Sequence, residues 1–150
     1  MRHHHRAVRT VSLLAFSLFV TAVAMNGSAA RAAAAEPPVT IQQLQGTWAI
    51  TLTGVDGCGV FTTYATVTLS ATGTGTANER YHSVACGDGT ASVPFKIISL
   101  NPNGSGTAGL GCGGSCGFTF TIQVSRPRDE FGMIDLTDPG NYLEGTAIRQ

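Results

Sequence analysis

The chain has 150 residues, with 9 basic and 9 acidic side chains and a formal net charge of zero. Its first part, 1–35, has the pattern of a secretory signal peptide, with a basic start, an apolar core over 11–24 and an alanine-rich end. That core is too short to cross a membrane, which takes about 20 residues. Cleavage after 35 would leave one domain with 5 basic and 9 acidic residues. Such an acidic domain lacks the basic face that binds nucleic acid or anionic lipid, so we expect neither partner.

The remainder is predicted to be a short linker, 36–43, followed by a β-domain over 44–150. Residues 41–44 could form one helical turn before the first strand. After that turn, helical periodicity is absent, and apolar and polar residues alternate, most regularly over 61–69 and 118–125. Alternation of this kind is typical of antiparallel strands that bury one face.

Turn signals divide the domain into short strands, among them Asp56-Gly57, Thr72-Gly73, Asp88-Gly89 and Asn103-Gly104. Two of the short segments could form a single bent strand, so eight or nine strands are predicted. Many short strands joined by local turns indicate an all-β fold, an antiparallel up-and-down barrel of about eight strands, with a sandwich as the alternative. The predicted strands lie near 46–54, 59–70, 73–80, 81–86, 91–100, 105–111, 117–126, 129–136 and 142–149.

All four cysteines, Cys58, Cys86, Cys112 and Cys116, lie after the predicted signal peptide. In a small exported domain, four cysteines most often form two disulfides. Three pairings are possible. We favour Cys58–Cys86 with Cys112–Cys116, because the glycine-rich turn between the last two would place them opposite each other. The spacing lacks the paired C-x₂-C knuckles of a Cys₄ metal site, so we predict no metal. None of the four cysteines lies near the predicted cleavage site, so no lipid anchor on the membrane is expected.

The domain opens with Leu-Gln-Gly-Thr-Trp over 44–48 and closes with Gly-Thr-Ala-Ile-Arg-Gln over 145–150. These two ends resemble those of the calycin superfamily of lipocalin-like and avidin-like barrels. The resemblance implies that Trp48, on the first strand, fills the closed end of the barrel. It also implies that Arg149, on the last strand, packs across the indole ring in a cation–π contact. The tail from 135 to 147 also resembles that of uncharacterised exported bacterial proteins.

An eight-stranded barrel is just wide enough to be filled by side chains or to hold one small ligand. The leading hypothesis is an exported bacterial binding module, secreted or periplasmic, that holds a small hydrophobic ligand. Its inward-facing aromatic side chains would then line the pocket, although an ordinary packed core is the alternative reading. The candidate ligand-binding residues are Trp48, Phe61, Phe95, Phe118 and Phe120.

Two alternatives involve no small ligand. One is a protein-binding module such as an inhibitor of a secreted protease, with 36–40 as the arm that enters the protease cleft. Small barrels with a similar Leu-x-Gly-x-Trp opening serve in this way. The other is a structural surface protein whose barrel is packed shut.

We predict no catalytic residues and no cofactor. The sequence contains no His-Glu-x-x-His and no Walker loop. A barrel enzyme would need a polar side chain in the lumen, for which the candidates are Tyr64, Tyr81, His82 and Glu144.

Four carboxylates gather near one predicted hairpin and could bind calcium or form an acid–base pair. They lack the spacing of an EF-hand loop, and two arginines lie beside them. A salt-bridged surface turn is therefore the better reading. The four are Asp129, Glu130, Asp135 and Asp138.

Overall fold

The computed structural model describes residues 36–111, 117–135 and 139–150. The predicted signal peptide lies outside the described residues, and so do Cys112 and Cys116 with their predicted disulfide. Within the described ranges, no helix is both long and apolar enough to cross a membrane.

The described residues form a short 3₁₀ helix, Ile41–Leu44, followed by eight antiparallel strands. Each strand pairs with its neighbours in sequence, and the last strand pairs with the first, so the sheet closes into a barrel. This arrangement confirms the predicted up-and-down barrel and the predicted helical turn. The strands are β1 (Gly46–Asp56), β2 (Gly59–Leu69), β3 (Thr74–Ser83), β4 (Gly87–Leu100), β5 (Ser105–Leu110), β6 (Phe118–Val124), β7 (Glu130–Asp135) and β8 (Tyr142–Arg149).

Burial alternates along the strands as the sequence pattern predicts. On β2 every second side chain from Thr63 to Leu69 is buried, while Tyr64 and Thr68 between them are exposed. Because successive side chains of a strand point to opposite faces, every second residue enters the lumen. The lumen is thus filled mainly by aliphatic and aromatic side chains. β-branched threonine covers much of the outside, where it favours the extended backbone.

The predicted turn at Asp88-Gly89 is wrong, because both residues lie within β4 and pair with β3. The chain turns earlier, after Ser83, and Gly87 takes the positive φ of 76° that ends this turn. β3 also runs without a break from Thr74 to Ser83, so the two predicted segments 73–80 and 81–86 form one strand, and the last three residues of the second segment lie in the turn. The segment from 73 to 89 shows no regular alternation of apolar and polar residues, and it contains two dipeptides typical of turns. Local propensity therefore predicted the wrong boundaries for these strands.

One end of the barrel, which we call the tryptophan end, is tightly closed. The Trp48 side chain is fully buried, and its ring centroid lies 4.9 Å from that of Phe131. The indole Nε1–H donates a hydrogen bond of 2.8 Å to the carbonyl oxygen of Leu44, in the 3₁₀ helix. The Arg149 guanidinium lies 4.7 Å from the indole centroid, which confirms the predicted cation–π pair.

Candidate ligand-binding site

The opposite end of the barrel, the disulfide end, is held by the Cys58–Cys86 bond. This bond joins the β1–β2 turn to the β3–β4 turn, with 5.4 Å between the two Cα atoms, and confirms the first predicted pair. Two backbone hydrogen bonds run beside it, from Val84 N to Val60 O and from Ala85 N to the carbonyl oxygen of Cys58. Closing a loop of 28 residues is worth about 3–4 kcal/mol by the chain-entropy argument.

A cavity of about 380 Å³ lies inside the barrel beneath this disulfide. Its walls are mostly apolar and come from strands on both sides of the barrel. Two of the wall residues, Phe61 and Phe118, are only half-buried, unlike the fully buried aromatic residues of the tryptophan end. The apolar wall residues are Leu52, Phe61, Leu110, Phe118 and Leu143.

A carboxylate, Glu79, also lines this cavity. On β3 it belongs to the inward row, between Ala77 and Tyr81. The residues paired with it on the two neighbouring strands are Ala65 and Ala91. Directly opposed Cβ atoms in a sheet are about 5 Å apart, so two alanines leave open volume on both sides of the carboxylate.

The Glu79 carboxylate has no hydrogen bond or ion pair with any described part of the chain. Removal from water disfavours the charged form of a carboxyl group, so burial raises the pKa of Glu79 above its usual value. Asp56, the other acid at the cavity, differs in this respect. Its Oδ1 accepts a 2.7 Å hydrogen bond from the backbone N–H of Cys58 in the adjoining turn.

Tyr81 forms a side of the cavity together with Phe61. The two rings are stacked, with centroids 6.0 Å apart and planes 24° from parallel. On its other side the tyrosine lies against Gly89, where a Cβ atom would come within 2.3 Å of the phenol oxygen. Because Gly89 has no side chain, the ring of Tyr81 fits against the backbone at this position.

The structure divides the five predicted ligand-binding residues between cavity and core. Phe61 and Phe118 line the cavity. Trp48 closes the opposite end, and Phe95 and Phe120 are fully buried and not among the residues lining the cavity. The aromatic side chains were thus correctly placed on the inner face by alternation, but alternation does not tell which layer of the barrel is left unfilled.

Of the polar residues considered for the lumen, only Tyr81 is in the cavity wall. Tyr64, His82 and Glu144 are exposed on the outer face, where His82 Nδ1 contacts the carboxylate of Asp88. Glu79 was missed, because both faces of its strand are polar in this stretch. The signal available in the sequence was the alternation of side chains along a strand. If Ala77 faces inward, Glu79, two positions later, must face inward as well.

The segment before the first strand is attached to the barrel. Val39 is buried, and its N–H donates a 3.0 Å hydrogen bond to Pro102 O. The carboxylate of Glu36 pairs with Arg126, and Arg128 Nη2 donates to Pro37 O at 3.3 Å. The proposed inhibitory arm is therefore occupied by contacts with its own domain.

The carboxylates near the last hairpins do not assemble into an ion site in the described ranges. No three His, Cys, Asp or Glu side chains there are grouped to hold a metal ion. Asp129 accepts a 2.9 Å hydrogen bond from Ser125 Oγ, and Asp135 is buried. Asp138 lies outside the described residues.

No protein-family model matches this chain, and no curated protein sequence matches it. Among solved structures, it is similar to a de novo designed fluorescence-activating β-barrel, with 16% sequence identity and a TM-score of 0.42. The match covers 73% of this chain and 96% of the designed chain.

Proposed function

We propose that this chain is an exported, lipocalin-like binding module that holds a small, mainly apolar molecule in the cavity at the disulfide end. The observation that carries the proposal is the cavity itself, about 380 Å³ in volume and walled by leucine and phenylalanine. Small-molecule sites typically have volumes of about 300–1,000 Å³, with mostly apolar walls and a few polar groups. Phe61 and Phe118 are half-buried, which leaves ring surface for a ligand to cover.

Export is supported by the signal-like start of the sequence together with the Cys58–Cys86 bond. Structural disulfides form and persist in oxidising compartments. These two features support our proposal that the mature domain is secreted or periplasmic.

We propose binding without catalysis. The single histidine after the predicted signal peptide, His82, lies on the outer face, away from the cavity. Protein binding through the 36–40 arm is less well supported, because Val39 and Pro37 already contact the barrel. A purely structural role would leave the half-buried phenylalanines and the cavity without a use.

A neutral apolar dye, N-phenylnaphthylamine, tests the proposal. We expect a saturable rise in dye fluorescence with the oxidised mature protein. Leu110→Trp adds an indole to the cavity wall and should abolish the rise. Ile148→Trp adds the same indole on the exposed outer face of β8 and should leave the rise unchanged.

Two results would contradict the proposal. One is the absence of saturable dye binding to the wild-type protein. The other is equal loss of binding in both tryptophan variants, with near-ultraviolet circular dichroism showing that both remain folded. If neither occurs, native mass spectrometry of protein purified from its own host would give the mass of the molecule bound in the cavity.

A further inference from the structure

The charged side chains at the cavity are all of one sign. Asp56 and Glu79 line it, and within the described part of the chain no lysine, arginine or histidine does so. Beyond the cavity, the domain after the predicted signal peptide also carries more acidic than basic residues. A low-dielectric pocket with negative groups alone favours a cation and opposes an anion.

The two acids are not equivalent. Asp56 already accepts the backbone N–H of Cys58, so part of its charge is compensated by the turn. Glu79 lies deeper along its strand, between two alanines, and has no donor among the described residues. Glu79 is half-buried, and this partial burial raises the pKa of its carboxyl group.

The surroundings of Glu79 provide both space and a matching apolar surface. Ala65 and Ala91 leave room on each side of the carboxylate. Next along β3, towards the disulfide, Tyr81 stacks on Phe61, and aromatic faces attract cationic groups as well as apolar rings. The cavity thus has an acidic floor and an aromatic side wall.

We propose that the ligand of this cavity carries a protonated amine on a compact apolar body, with the ammonium group at Glu79 and the body against Phe61, Tyr81 and Phe118. The inference rests on the proposed function and narrows its ligand to a chemical class. An ammonium group would supply the donor that Glu79 lacks and would form a charge-assisted hydrogen bond in a partly desolvated site. A carboxylate on the same apolar body would meet two like charges instead.

Three compounds with one ring system and different head groups test the inference: naphthylmethylamine, naphthylmethanol and naphthylacetate. Their dissociation constants are measured by calorimetry with the oxidised mature protein at about pH 7, where the amine is protonated. We expect the amine to bind at least about tenfold more tightly than the alcohol, and the acetate more weakly than either.

Glu79→Gln keeps the size of the side chain and removes its charge. We expect this variant to bind the amine and the alcohol with equal affinity and to keep the wild-type affinity for the alcohol. Glu144→Gln makes the same charge change on the outer face and should keep the full preference for the amine. Together, the two variants separate a direct contact at Glu79 from the overall field of the acidic domain.

The possible failures are distinguishable. If neither the amine nor the alcohol binds the wild-type protein, the proposed function is contradicted. If the alcohol binds and the amine binds no more tightly, the function stands and the ammonium site is overturned. Equal loss of preference in Glu79→Gln and Glu144→Gln would also overturn it, since the charge effect would then be non-specific. Loss of alcohol binding in Glu79→Gln would show that Glu79 only shapes the cavity.

Discussion

The two ends of the barrel use similar residues for opposite purposes. At the tryptophan end, Trp48 and Phe131 are fully buried, and the indole N–H has a partner. At the disulfide end, Phe61 and Phe118 are half-buried beside a cavity, and Glu79 has no partner among the described residues. Close packing with satisfied polar groups stabilises a fold, whereas open volume with an unpaired carboxylate does not. The tryptophan end thus contributes stability through close packing, whereas the disulfide end is held by a covalent link and leaves space for a ligand.

The largest effect should come from truncating the tryptophan end. Trp48→Ala removes a fully buried indole and its hydrogen bond, and we expect a loss of about 3–5 kcal/mol in the free energy of unfolding. Phe118→Ala removes a half-buried ring at the disulfide end and should lower the free energy of unfolding by about 1–2 kcal/mol. Urea denaturation followed by circular dichroism measures both. Equal losses would contradict the division between the two ends.

Removing the disulfide tests how the cavity end is held together. The double substitution of Cys58 and Cys86 by alanine should lower the free energy of unfolding by about 3–4 kcal/mol, because the unfolded chain loses a constraint. The two hairpin turns also lose their covalent link beside the cavity, so dye affinity should fall in protein that is still folded. Dye titration at low temperature, below the unfolding transition, checks this. Unchanged affinity would show that the backbone hydrogen bonds alone shape the site.

Substitution of Arg149 should have a moderate effect on the free energy of unfolding. Its guanidinium stacks on Trp48 and donates to the carbonyl oxygens of Gln45, at 2.9 Å, and of Arg128, at 3.1 Å. Arg149→Met should destabilise the domain by about 1–2 kcal/mol and leave dye affinity unchanged. Arg149→Lys keeps the charge but not the planar fork of donors, so it should lose part of that amount. A fall in dye affinity in either variant would show that the two ends are coupled.

The smallest effect should be the pH dependence set by Glu79. Burial raises the pKa of this carboxyl above 4.5, so the folded state binds the proton more tightly than the unfolded state. Its stabilising contribution is complete below the unfolded pKa and is lost as pH rises through the folded pKa. Glu79→Gln should therefore become more stable than the wild type as pH rises from about 4 to 7, with little difference at the acid end. Urea denaturation at several pH values measures this. A stability difference between Glu79→Gln and the wild type that does not change with pH would contradict the prediction.

Most of the barrel follows from the sequence, because alternation needs only neighbouring residues. The inner face of β2 and the 3₁₀ turn were predicted from the residues, and the Trp48–Arg149 pair was implied by the resemblance to calycin barrels. The cavity could not be, since it depends on which side chains meet across the lumen. Glu79 has open space beside it because Ala65 and Ala91 are opposite it, and that pairing is fixed by the register of three strands. The misplaced turn at Asp88-Gly89 has the same cause: register, not local propensity, decided where β4 begins.

Closure of the sheet has a consequence for how the domain folds. Every strand pairing observed joins neighbours in sequence except that of β1 with β8, which brings Trp48 opposite Arg149 across a separation of 101 residues. Local hairpins form with little loss of chain entropy. A contact between residues far apart in sequence requires a larger loss of chain entropy before any favourable interaction forms. We expect the β1–β8 seam to form last. Until then the open edges of these two strands can pair with another chain, so aggregation should compete with refolding most strongly at this step.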